Sequence, residues 1–140
     1  LGKNISEKFA HKYYDEVAVG IDFTARDLQR EQMNKAYPWE IAKSFDNSAV
    51  ISNFVCLNEI ADIHSLNFSL NINEKQVQKG NTQDLIFNIN QIIAHASKYF
   101  TLKIGDLIFT GTPSGVGKVF IDDHLEAYIE DKKLLDFYVK

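Results

Sequence analysis

The chain has 140 residues, 45% hydrophobic and 24% charged, the composition of one globular domain able to bury roughly two-thirds of its unfolded surface. A net charge of −4 with no basic stripe excludes a phosphate-backbone surface, so no nucleic-acid partner is expected. A single cysteine rules out a disulfide framework; with neither a signal peptide nor an apolar run of membrane-spanning length, the expected setting is cytoplasmic, without a membrane partner.

Residues 1–3 read as the tail of a strand leaving an upstream element. The chain starts at Leu1 and its methionine is Met33, so further residues are expected before Leu1 in the intact protein. Ser6 can cap a short helix to about Tyr14, with Phe9, Ala10 and Tyr13 facing inward. Residues 17–21 are apolar or small and run into Asp22, the pattern of a buried strand that delivers a charge at its end. A short helix over 24–30 would place Asp22, Arg26 and Gln29 near one face, at offsets of four and seven. Residues 35–40 form a loop in which Pro38 biases Tyr37 towards an extended backbone.

Residues 49–57 read as a second buried strand, with Cys56 as a small core residue, and 59–65 as an exposed connection. The alternation LNFSLNI over 66–72, a turn at 73–75 and a return over 76–79 predict a half-buried hairpin. The longest helix is predicted from Leu85 to about Tyr99, with Leu85, Ile89, Ile92, Ile93, Ala96 and Phe100 on one stripe. A strand over 107–109 leads into a glycine-rich loop over 110–117, and a hairpin of 124–130 with 134–139 closes the chain. The sum is mainly β with a few helices, one core and a single domain.

Three stretches carry candidate chemistry. Asp22 suits a hard metal ion, Arg26 a carboxylate gripped at two points, and Gln29 a carbonyl or enol oxygen; an Asp22–Arg26 ion pair on a surface helix is the alternative. Lys43 stands between Trp39 and Phe45, where a lysine drawn partly from water offers a localised positive charge to an enolate; a snorkelling surface lysine is the alternative. In TGTPSGVG, Thr110, Gly111 and Thr112 can turn hydroxyl and backbone donors towards an anion, unless the loop is only a tight turn. It is not a nucleotide-binding loop: five residues separate Gly111 from Gly117 where four are required, and Val119 stands where Ser or Thr is needed. His11, His64, His95 and His124 are dispersed without ligand spacing, so no zinc site is expected.

Taken together, GIDFTARDLQ, YPWEIAKSFD, QKGNTQDLIFNINQIIAHASKYFTLKIGDLIFTGTPSGVG and HLEAYIEDKKLLDFYV resemble, in order and spacing, the fumarylacetoacetate hydrolase family. The second and third segments look most like its acylpyruvate hydrolase and oxaloacetate decarboxylase branch. The resemblance implies a mixed β-sandwich roll, here lacking its N-terminal part, that pairs as a homodimer. It also implies a divalent metal, Mg2+ or Mn2+, and substrates that are small 2-oxo or β-diketo acids. By resemblance Asp22 is a metal ligand, Lys43 the active-site lysine, and Arg26, Gln29, Thr110, Gly111 and Thr112 the substrate-binding set. The implied reaction is hydrolysis or decarboxylation through a metal-stabilised enolate. Isomerisation of unsaturated dioates and a non-catalytic shortened domain are the alternatives.

The family's other metal carboxylates, a Glu-x-Glu pair, fall before Leu1, and its water-activating His–Glu pair further upstream. One carboxylate is a poor site for an ion that wants several oxygens. The 140 residues alone are therefore expected to be metal-poor and weakly active or inactive.

Overall fold

The structure is a computed structural model that describes residues 2–140; Leu1, and with it the first residue of the expected strand tail, lies outside the described residues. Gly2 makes a single antiparallel bridge to Leu102.

The 124–138 hairpin and the 67–81 hairpin join into one four-stranded antiparallel sheet. Its strands are β5 (Asn67–Ile72), β6 (Lys75–Asn81), β7 (His124–Ile129) and β8 (Lys132–Tyr138), in the order β6-β5-β7-β8. The predicted alternation produces this sheet. In β7, Leu125, Ala127 and Ile129 are buried and the residues between them only half so. Asn73 and Glu74 both take positive φ, 50° and 66°, the left-handed pair that a tight hairpin turn needs. The sheet's buried face meets Leu66, Leu135 and Val19 in the main core.

Val19 belongs to the segment that carries the candidate site. Residues 17–21 were expected to form one strand; they form parts of two, β1 (Glu16–Val17) and β2 (Gly20–Asp22). The second expected strand breaks in step, into β3 (Ala49–Ile51) and β4 (Val55–Cys56), giving the antiparallel pairs β1–β4 and β2–β3. Buried Ser52 marks the break: its hydroxyl accepts the Val19 N–H at 3.2 Å and donates to the Asn53 carbonyl at 2.8 Å, while its own N–H still donates to Val19 O at 3.0 Å. Cys56 lies on a two-residue strand and is exposed, not in the core as expected.

The described residues form three α-helices: α1 (Arg26–Asn34), α2 (Glu40–Lys43) and α3 (Ile89–Tyr99). The helix expected from Leu85 begins instead at Ile89, because Asn88 and Gln91 close a reciprocal capping box there. Ile93 of its predicted stripe is buried against Ile5 and Ala10, while Phe100, just past the helix end, is 68% exposed. Buried Ser97 accepts the Ile5 N–H at 2.8 Å. The helix expected after Ser6 is a 3-10 segment, Glu7–Lys12, without a side-chain cap; it buries Ala10 but leaves Phe9 and Tyr13 about half exposed.

Candidate functional site

Asp22 is the last residue of β2, the strand-end position that its apolar run dictates. The next three residues are held against the segment 42–48 by backbone bonds: the Phe23 N–H donates to Ser48 O at 2.7 Å and the Ala25 N–H to Ala42 O at 3.0 Å. Ala42 is fully buried, so α2 seats directly on this bend and delivers Lys43 to it. The Lys43 Nζ then donates to Asp22 Oδ2 at 2.5 Å and to Thr24 Oγ1 at 2.8 Å. The Asp22 and Lys43 side chains are 34% and 35% exposed, open enough to meet a small molecule.

Arg26 opens α1 four residues after Asp22, and its guanidinium donates to Gln29 Oε1 at 3.3 Å. Arg26 and Gln29 therefore do converge. Asp22 does not join them through helical spacing, because the helix starts only at Arg26; its ion-pair partner is Lys43, not the alternative Arg26.

The loop after Phe109 follows a residue that packs on β2 at Gly20, two residues before Asp22. Residues 107–109 form no strand, since no ladder partner stands beside them among the described residues. The Phe109 ring packs over Gly20: a Cβ there would stand 2.8 Å from its Cε1. Further on, Gln78 Nε2 donates to Pro113 O at 3.0 Å, and Gly115, at φ +97°, lies so close to β6 that a Cβ would come within 2.0 Å of the Val77 carbonyl oxygen. Thr110 and Gly111 line an apolar cavity of about 290 Å³ together with Gly20, Ile51 and Ile92; Thr112, Asp22, Arg26, Gln29 and Lys43 are not among its lining residues. Gly20 and Asp22 are two residues apart on β2, about 7 Å along the strand. The predicted residues thus form two groups along one short strand, and this cavity takes in only part of one of them.

Does the acid end of β2 make a metal site? Among the described residues, no set of three possible ligands includes Asp22. Asp22 offers one hard oxygen-bearing side chain, which suits Mg2+ or Mn2+ as one ligand of several and not as a site by itself. Asp22 can thus contribute one ligand to such an ion, and the described residues do not complete a site around it.

The structure does gather His124, Glu126 and Asp136, whose potential ligand atoms lie within 4.8 Å of one another. Sequence spacing missed this cluster because it forms across the β7–β8 register, where Glu126 faces Asp136. Its positive charge is already supplied. The Lys133 ammonium donates to Glu126 at 2.8 Å and to Asp136 at 2.5 Å, and His124 Nε2 meets Asp136 at 2.7 Å. Those partners hold both carboxyls below the usual carboxylate range, Asp136 through His124 and then Lys133, Glu126 through Lys133. The cluster is an ion network on the face of the hairpin.

Residues 2–139 match the C-terminal region of the fumarylacetoacetate hydrolase family. The mitochondrial oxaloacetate tautomerase of Mus musculus is 43% identical over 139 residues, covering 99% of this chain and 63% of that protein. A crystal structure of a putative fumarylacetoacetate hydrolase family protein from Yersinia pestis CO92 superposes with a TM-score of 0.95 at 36% identity, over 99% of this chain and 65% of that one. Fumarylpyruvate hydrolase from Pseudomonas aeruginosa, in complex with Mn2+ and pyruvate, superposes at 0.89 with 32% identity, over 99% of this chain and 59% of that one. The chain thus spans less than two-thirds of the length of these relatives. With its motifs in order and its fold shared over nearly every residue, it belongs to the fumarylacetoacetate hydrolase family.

Proposed function

We propose that the complete protein is an enzyme acting on small 2-oxo or β-diketo acids of the oxaloacetate or acylpyruvate type, through an enolate. The observation that carries this reading is the Lys43 ammonium, fixed by Asp22 and Thr24 at an open strand end, with Arg26 two residues beyond Thr24 in the chain. An ammonium has three donors, and two are taken; the third is left for an oxygen that gains negative charge. Arg26 can grip the substrate carboxylate in two places, with the Gln29 amide beside it. Thr110, Gly111 and Thr112 form the opposite wall in this reading, their hydroxyls and N–H groups bonding the far end of the substrate.

Asp22 would contribute one ligand to Mg2+ or Mn2+, an ion that supplies Lewis acidity to a 2-oxo carboxylate when bound. Support for the ion and the substrate class comes from the relatives' names, one in complex with Mn2+ and pyruvate and one an oxaloacetate tautomerase. The reading includes pairing of two copies, and it keeps the cytoplasm as the compartment although the mouse relative is named mitochondrial.

Three reactions share the enolate. Hydrolysis of a C–C bond needs an activated water, and decarboxylation needs only loss of CO2. Tautomerisation needs only a proton to leave one atom and return to another. The mouse relative's name favours the last as a second reading. Incubating the complete protein and Mg2+ with oxaloacetate, an acylpyruvate and a hydroxymuconate-type dioate, with products followed by NMR, separates them. Cleavage, CO2 release or faster keto–enol interconversion of the first two supports the proposal; turnover of the dioate alone, or of none, contradicts it.

A further inference from the structure

Thr24 was not among the residues that sequence reasoning marked, and it touches Lys43 as directly as Asp22 does. Its hydroxyl accepts from Nζ at 2.8 Å in a half-buried position, while the backbone on its C-terminal side is bonded to α2 through Ala25 and Ala42. Strand end and helix are therefore locked in register around one ammonium. The two acceptors differ in kind. Asp22 is charged and is the group in this site best suited to a cation; any charge it shares with another cation is withdrawn from Lys43. The Thr24 hydroxyl is neutral and a weak ligand for a hard ion in competition with carboxylate, so its bond to Lys43 does not depend on what Asp22 is doing.

We infer that Thr24 is the positioning residue for Lys43: the 2.8 Å hydroxyl contact, set by the Ala25–Ala42 backbone bond, holds the ammonium at the strand end independently of Asp22. The inference rests on the reading of Lys43 as the enolate-stabilising group, and it adds a requirement for a hydroxyl at position 24. Valine has the shape of threonine without the hydroxyl; serine keeps the hydroxyl without the methyl.

The test compares Thr24→Val and Thr24→Ser in the complete protein. Side-chain NMR relaxation at the Lys43 ε-methylene, with no metal added, reports how tightly the ammonium is held. Thr24→Ser is expected to keep the wild-type order and Thr24→Val to lose it, with thermal melts showing both variants folded. With oxaloacetate, Thr24→Val is expected to lower kcat about tenfold with little change in KM, the size of one hydrogen bond to a charged group, and Thr24→Ser to recover most of it. Wild-type Lys43 order in Thr24→Val, or equal loss in both variants, overturns the inference. If the wild-type protein turned over no oxo acid, the proposed function would fall, and the relaxation comparison alone would decide the role of Thr24.

Discussion

Lys43 and Asp22 lie 21 positions apart, and their contact bridges two elements that the Phe23–Ser48 and Ala25–Ala42 backbone bonds hold together. The pair is one-third exposed, so its worth to stability is small, within about 1 kcal/mol. Its worth to the proposed reaction is large. Lys43→Met is expected to leave the melting temperature nearly unchanged and to cut kcat about 10²–10³-fold, as measured by steady-state turnover of oxaloacetate. The strand-end position of Asp22 was legible in sequence because an apolar run ending in one carboxylate reads as a strand that delivers a charge. The partner of Asp22 was not, since a contact at this separation leaves no periodicity; Thr24 went unmarked for the same reason. The predicted meeting of Arg26 and Gln29 is observed because both sit on one helix at i and i+3.

Strict alternation made the sheet readable. Both hairpins stand within a few residues of their predicted bounds. The strands over 17–21 and 49–57 were each read as continuous, because a side chain that ends a ladder, as Ser52 does, looks in sequence like any other small polar residue. Three predictions belong to these elements. Leu125, fully buried under β7, is expected to cost about 2–5 kcal/mol when changed to Ala, measured by urea unfolding. Gly115→Ala meets both a positive φ and the Val77 carbonyl; about 1–3 kcal/mol from the backbone alone should detach the 113–115 loop from β6, visible as faster hydrogen exchange at 75–81. The third concerns acid. Asp136 and Glu126 are held below the usual carboxylate range, so each stabilises the folded hairpin above its unfolded pKa and loses that contribution as pH falls through its lowered folded value. Melting temperature is therefore expected to drop on acidification below about pH 4, and Asp136→Asn to flatten that slope.

In the 140-residue chain taken by itself, large apolar side chains are uncovered: Ile104 is fully exposed, Ile86 is 92% exposed, and Phe100 and Tyr99 about two-thirds exposed. No helix among the described residues is long and apolar enough to cross a membrane. Asp22 belongs to no cluster of three possible metal ligands among the described residues. Calorimetric titration of Mg2+ into the 140-residue chain is accordingly expected to show no tight stoichiometric binding. Fold and family were legible in the order of the motifs; the surroundings of the site were not, because residues that meet only in space leave no mark along the chain.

Hydrogen–deuterium exchange at the methylene carbon of oxaloacetate, followed by NMR in D2O with the complete protein and Mg2+, measures enolate formation whichever product follows. Wild-type protein is expected to accelerate that exchange well above the uncatalysed rate, with Lys43→Met about 10²-fold slower or worse. Exchange at the wild-type rate in Lys43→Met, or no acceleration by the wild-type protein, would contradict the account.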